Sequence, residues 1–346
     1  MTSVVHVVRS DGFAGVEGFI AQLARAQAAA GTEVAVIGGD PIPMRAILGP
    51  TLSHTPAASV LDVVRALLAL PDLPDVLNVH MTAAEVATTV AGSWRRWGTR
   101  PAVVATCHFA ARRGSGSRLV GPLVAAVAQR RLVAQIAVSR FVAHEVGGDP
   151  TVVHTGVPDR SAPRRPRERI VLVVQRLESE KHTDDAISIF AESGLAKAGW
   201  RLHIAGEGSQ RGRLLGLAAR LGIAPNTQML GRRADVPQLM DRAGILLAPT
   251  PREGLGLAVL EAMAGGLPVL AAGSGGHRET VGSVPGGQLY TDVSDAAARL
   301  RALADDEGGR TAYGAALRRA QRENFTLARQ VALTDAVYRR ALGARS

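Results

Sequence analysis

Short apolar runs of strand character alternate with helical stretches along this chain, and the whole alternation occurs twice. VVHVV at 4–8 is followed by a glycine-containing turn at 11–15 and a helical stretch at 16–30; EVAVIGG at 33–39 is the next strand. Further strands are expected at 76–80, 102–108, 135–138 and 151–154. At 160–169 the sequence RSAPRRPRER, with two prolines and five arginines, interrupts the pattern and reads as a connector. The alternation then restarts, with strands at 170–176, 201–208, 227–230, 244–249 and 268–272 and helices at 183–194, 210–221, 235–243, 257–265 and from 294 onward. Strands that return through helical crossovers run parallel, and their apolar character on both faces requires helices above and below. The expected fold is therefore α/β, two doubly wound, Rossmann-like domains at 1–159 and 170–325, with a ligand expected in a cleft between them.

Composition narrows the partners. The net charge of +10 is not spread over the domains: residues 160–169 carry 5 basic and 1 acidic residue, and 310–346 carry 8 and 2. A nucleic-acid enzyme would line a groove with that charge, and 3% aromatic residues are too few for rows of stacking rings, so nucleic acid is not an expected partner. The basic segments read as solvated faces, with peripheral contact to an anionic membrane as the lesser alternative. Cys107 is the one cysteine, which excludes a disulfide scaffold and a thiolate zinc site. The apolar run near Met1 is too short for a signal peptide, and the longest nearly apolar stretch, 119–128, is about half of what crosses a bilayer, so a soluble cytoplasmic protein is expected. Residues 119–133 could be a core helix or a surface helix against a lipid acceptor.

The densest chemistry lies at 251–279, PREGLGLAVLEAMAGGLPVLAAGSGGHRE. Glu253 follows a strand, a turn of Gly254, Leu255 and Gly256 opens a helix at Leu257, and Glu261 falls about one turn inside it. The free N–H groups of a helix start attract anions, and glycines let a phosphate approach the backbone. An acceptor-only carboxylate such as Glu261 suits two ribose hydroxyls. A second glycine turn, 273–276, follows the next strand. In VVQRLESEKHTDD, Arg176 and Lys181 put two cations on the loop after another strand, suited to a diphosphate or to pairing with Glu178 and Glu180. Both are read as loop residues, so the fold is expected to survive their removal. His108 ends a strand in the first half, and Gly12, Gly15 and Gly18 have the wrong spacing for a dinucleotide fingerprint. No D-x-D pair, G-x-S-x-G, H-E-x-x-H or Walker sequence is present, and no metal is expected.

Together these pieces resemble the retaining nucleotide-sugar glycosyltransferases of family 4, which have the GT-B fold. The matching stretches are Ala14-Gly15-Val16-Glu17, His108, Ala137-Val138-Ser139, Thr155 through Asp159, Gln175-Arg176-Leu177 through Lys181-His182, Gly206-Glu207-Gly208, and Glu253 through Val269. Gln175 and His182 stand where the family has glycines flanking the Arg–Lys pair, and Ala14 replaces another. The resemblance implies a metal-independent retaining transfer from an NDP-sugar, UDP-sugar by family habit, to a sugar, small-molecule or lipid-linked acceptor. It implies catalytic roles for His108, Arg176, Lys181 and Glu253, and donor contacts from Gly15, Gly231, Arg232, Gly254, Leu255, Gly256, Leu257 and Glu261. No other cofactor is implied, and the last helix, 326–346, is expected to pack back on the first domain. The alternatives are a GT-B UDP-sugar epimerase, an NAD-dependent oxidoreductase using the Gly12 turn and Asp40, and a basic lipid- or nucleic-acid-binding module.

Overall fold

The structure, a computed structural model, describes residues 2–94, 101–110, 130–161 and 166–344. The chain divides into two units, 1–156 with 327–346, and 157–326.

In the first unit the described strands are β1 (Ser3–Val8), β2 (Glu33–Ile37), β3 (Ser53–Thr55), β4 (Val76–His80), β5 (Ala102–Cys107), β6 (Leu132–Ala137) and β7 (Thr151–Val152). They form one sheet in the order β3-β2-β1-β4-β5-β6-β7, and all described pairings are parallel. Helices α1 (Gly15–Ala29), α2 (Pro41–Leu48), α3 (Val60–Leu68), α4 (Thr82–Trp94) and α5 (Arg140–Val146) connect them. β1 and β4 lie centrally and are buried on both faces, which is why they read as continuous apolar runs. Glu17 starts α1 by accepting from the Ala14 N–H at 2.8 Å.

The second unit holds β8 (Ile170–Val174), β9 (Arg201–Ala205), β10 (Thr227–Gly231), β11 (Ile245–Ala248), β12 (Val269–Ala272) and β13 (Gln288–Tyr290), again parallel, in the order β10-β9-β8-β11-β12-β13. Its helices are α6 (Thr183–Ser193), α7 (Arg211–Arg220), α8 (Val236–Arg242), α9 (Leu257–Ala264), α10 (Val293–Asp305) and α11 (Glu307–Asn324). Leu172, Ile187, Ile189, Phe190 and Leu247 are at most 1% exposed, each burial contributing about 1.5–3 kcal/mol. The last helix, α12 (Leu327–Gly343), lies in the first unit, where Val337, Tyr338 and Ala341 join the core beneath β1, β4 and β5. Each unit is thus a parallel, doubly wound α/β sheet.

Several boundaries differ from the sequence expectation. β2 stops at Ile37 and β9 at Ala205, because glycines follow: a Cβ on Gly206 would stand 1.8 Å from the Gln175 carbonyl oxygen, an approach that only glycine permits. The three-residue edge strands β3 and β13 were not expected; SHT and QLY are too short and too polar to show a period. The described part of the expected 160–169 connector is fastened to the second unit. Arg160 donates to Pro237 O and the Asp241 carboxylate, and Arg167 donates to Met240 O, Ala243 O and Gly265 O, where an arginine fork fills carbonyls left unsatisfied at helix C-terminal ends. Arg310 and Arg322 of the basic tail are similarly engaged, with Leu303 O and Asp159. The 119–133 expectation falls largely outside the described residues. No described helix is long and apolar enough to cross a membrane.

Candidate functional site

Because β8 to β12 run parallel, the loops following them leave one sheet edge, and the expected donor residues of the second half lie on these loops or on the helix that follows them. Lys181 Nζ donates to Glu253 Oε2 at 2.7 Å, with side chains 16% and 23% exposed. Burial alone would raise the Glu253 carboxyl, but the Lys181 charge and hydrogen bond, helped by the Gly254 N–H, hold it below the usual range. The loop carrying Lys181 is braced from both neighbouring strand ends. Gln175 Nε2 donates to Lys181 O at 2.8 Å and to Thr183 Oγ1 at 2.9 Å, and Thr250 Oγ1 donates to Gln175 Oε1 at 3.0 Å. Gln175 therefore replaces a family glycine with a side-chain clamp. His182, the other replacement, takes the left-handed conformation that a glycine would supply, φ +51°. Arg176 lies on the same loop, more than half exposed, pairing with Glu180 at 2.8 Å. Of the two surface pairings open to the cations, Arg176 takes one and Lys181 turns inward instead.

The two glycine turns form one body. Gly276 N–H donates to Glu253 O at 2.9 Å, and Ser274 Oγ donates to Pro251 O at 2.6 Å. A Cβ on Gly276 would meet Gly254 O at 2.3 Å, so only glycine lets the turns touch. Gly256, φ +91°, turns the chain into α9, with Gly254 and Leu255 buried and Leu257 half-buried beside it. Glu261 sits one turn inside α9; burial pushes its carboxyl up to about 7, against the opposing charge of Arg160. Gly206 N–H donates to Gly231 O at 2.8 Å, which sets the Gly231-Arg232 loop beside the loop after β9. His277, unread in the sequence, is buried, donates from Nδ1 to Ala272 O and sits in the field of Glu253; burial lowers it nonetheless. Its glycine-rich neighbourhood was the available signal. The assembly offers cations, a helix start and carboxylates to a polyanion that also carries hydroxyls.

In the first unit His108 follows directly after β5, and Gly15 is the first residue of α1. His108 is not alone: its Nε2 is 3.0 Å from His80 Nδ1, and His80 Nε2 is 3.1 Å from His6 Nδ1. The edge of Phe19 packs on the His108 ring, centroids 4.7 Å apart. His6 and His80 escaped sequence reading because each sits inside an apolar strand, and only the register brings them together. Asp40 caps α2 by accepting from Ile42 N–H at 3.0 Å. Among the described residues no cluster of three His, Cys, Asp or Glu could hold a metal ion.

Residues 159–322, nearly all of the second unit, match the family described as glycosyl transferases group 1. This stretch is a glycosyl transferases group 1 domain. The chain is 31% identical over 197 residues to a glycogen synthase of Mycobacterium tuberculosis, covering 54% of this chain and 48% of that one. It is 28% identical over 257 residues to the 2-deoxystreptamine glucosyltransferase of Streptomyces kanamyceticus, covering 70% and 65%. The matched part thus spans about half the length of the first relative and under two thirds of the second. The fold is similar to that of Anabaena Alr3699/HepE, crystallised with UDP and glucose: the TM-score is 0.76 at 18% identity, covering 97% of this chain and 99% of that one. The matched stretch contains Arg176, Lys181, Glu253 and Glu261, whereas His6, His80 and His108 lie outside it.

Proposed function

We propose that this protein is a retaining glycosyltransferase that transfers a sugar from a nucleoside diphosphate sugar, a UDP-sugar in preference, without a metal ion. The observation that carries this reading is the Lys181–Glu253 pair, held by the Gln175–Thr250 brace at the strand edge where both glycine turns meet. Ammonium has three donors and Glu253 takes one, so Lys181 keeps two for a phosphate oxygen. Arg176 adds a fork for the same diphosphate, whose growing charge on departure is what these cations stabilise. A charge pair in this role substitutes for the divalent ion that other transferases place there. The α9 start takes the other phosphate oxygens, Glu261 the ribose hydroxyls, and Gly231-Arg232 the base. Glu253, kept ionised by Lys181, accepts from sugar hydroxyls and orients the ring. His108 and Gly15 stand at the first unit's strand edge, where a sugar or acceptor hydroxyl is expected. The glucosyltransferase relative and the UDP-bound structural neighbour support this donor class.

In this reading the attack is front-face, as the resemblance implies, with Glu253 engaging the sugar hydroxyls and the leaving phosphate oxygen accepting the proton of the acceptor. The test is a matrix of UDP- and other NDP-sugars against sugar, small-molecule and lipid-linked acceptors, read by product mass and by NMR of the first-formed anomer. Retention, with activity unchanged by EDTA, is expected. An inverted product, or activity abolished by chelation and restored by Mg²⁺, would overturn the retaining or the metal-free part respectively.

A further inference from the structure

The histidine file in the first unit continues past His6 to the last helix. In register, His6 lies opposite Asn78, two residues before His80, and His80 lies opposite Thr106, two residues before His108. Alternate residues share a face, so the three rings step diagonally across β1, β4 and β5. Beyond them His6 Nε2 is 2.8 Å from Gln27 Oε1, and Gln27 Nε2 donates to Asp335 Oδ1 at 3.0 Å. His6, Gln27 and His80 are fully buried; Asp335, on α12, is half-buried and borders a cavity of about 220 Å³ shared with Thr32, Tyr338 and Arg339.

This chain of contacts has one consistent direction. A carboxylate only accepts, so Gln27 must turn its amide nitrogen to Asp335 and its oxygen to His6. His6 then carries its proton on Nε2 and presents a lone pair on Nδ1. His80 must donate from Nε2 to that lone pair, which leaves its own Nδ1 to accept from His108 Nε2. We infer that Asp335, acting through Gln27, His6 and His80, fixes His108 as the Nε2–H tautomer, with Nδ1 as a lone-pair acceptor for a ligand hydroxyl. Burial supports this by keeping the rings neutral: it lowers His6 to about 4 and His108 to about 3, and His80 well below its ordinary value. Each neutral ring then has one donor and one acceptor, as the chain requires. The three rings pass hydrogen bonds along a line instead of converging on a point, which separates the arrangement from a metal site. Asp335, Gln27, His6 and His80 are thus positioning residues, and only His108 meets a ligand.

The activity arm of the test rests on the proposed glycosyl transfer; the spectroscopic arm does not. Long-range ¹H–¹⁵N spectra of the full chain labelled at histidine should show His6, His80 and His108 each protonated on Nε2 and bare on Nδ1. In Asp335→Asn, whose amide can donate as well as accept, the His108 nitrogens should move toward a tautomer average, and Asp335→Glu should restore the wild-type pattern. Transfer by Asp335→Asn should fall in kcat/KM by about two- to tenfold, the loss of one aligned hydrogen bond, with KM for the nucleotide sugar unchanged. A wild-type spectrum with His108 protonated on Nδ1 overturns the inference, as does an Asp335→Asn spectrum identical to wild type. If no transfer is found with any donor, the proposed function fails while the spectra still decide the relay.

Discussion

The two units present polar side chains at equivalent sheet edges and stabilise them by opposite means. At the second unit's edge the groups are charged: Lys181 and Glu253 are both largely buried, and the Lys181 charge keeps the Glu253 carboxyl below its usual range. At the first unit's edge the groups are neutral rings, held by hydrogen bonds from one strand to the next. A charge pair can meet a diphosphate, whose charge grows as it departs. A neutral file cannot do that, but it can fix which nitrogen offers a lone pair. The difference also has a cost structure: breaking a buried ion pair leaves a bare charge, whereas breaking a neutral link leaves one unsatisfied polar atom.

The largest expected effect comes from removing one member of the charged pair. Lys181→Met should lower kcat/KM by about 10²–10³-fold, through loss of leaving-group stabilisation. It should also lower Tm, because Glu253 loses the cation that keeps it ionised, so Lys181 is not the structurally neutral loop residue expected from sequence. Lys181→Met with Glu253→Gln should recover the Tm and none of the activity. Arg176→Ala should cost similar activity at unchanged Tm, since its side chain is 54% exposed and its partner Glu180 is 58% exposed. Equal Tm values for Lys181→Met and the wild type would break the contrast between the units.

A middle-sized effect is expected at Glu261, a carboxylate that burial pushes to about 7 from an ordinary 4.5, against the charge of Arg160. The sign follows from proton binding: between those values the folded protein holds a proton the unfolded chain has released, so stability falls as pH rises through this window. Glu261→Gln removes that penalty and should raise Tm at pH 8, with the gap closing near pH 5. With Glu261 holding the ribose hydroxyls as proposed, the ionised form is the one that binds, and wild-type affinity for UDP should improve about five- to tenfold from pH 6 to pH 8. Calorimetry on Glu261→Gln should show weaker binding and a flat pH profile; a profile as steep as wild type would place the titrating group elsewhere.

The units also differ in how much of them the sequence discloses. Much of the second unit's candidate site is contiguous: Glu253, glycine turn, α9 and second glycine turn follow one another within 251–279, so local spacing suffices to read that part. What it hid were the ties between loops, Gln175 to Thr250 and Lys181 to Glu253, which depend on β8 and β11 being neighbours. In the first unit His6, His80 and His108 are separated by 74 and 28 residues, and nothing but strand register aligns them. There the fold was legible from alternation, while of the three file histidines only His108 was read. The edge strands β3 and β13 were lost for a third reason, since three residues cannot display a period.

The smallest prediction concerns backbone strain beside each site. Among the described residues the non-glycine positions with positive φ are Met81, at +71°, and His182, at +51°. Met81 follows His80 in the neutral file, and His182 follows Lys181 in the charged pair, so each unit holds a strained residue against its key side chain. A left-handed conformation costs an ordinary residue about 1–2 kcal/mol, and glycine returns roughly 0.5–1 kcal/mol of that as unfolded-state entropy. His182→Gly also gives up the 3.1 Å contact with Asp185, which is worth little at two side chains more than 40% exposed. The net expectation is a stabilisation of about 0.5 kcal/mol for either glycine variant, a Tm rise of about 1–2 °C. Activity separates the two. If the Gln175 brace holds Lys181, His182→Gly should keep kcat; if His182 itself fixes the loop, kcat should fall while Tm rises. Met81→Gly should leave the His80 tautomer unchanged, because that ring is oriented by hydrogen bonds on both sides. A tautomer shift in Met81→Gly would show that the neutral file, too, depends on backbone strain.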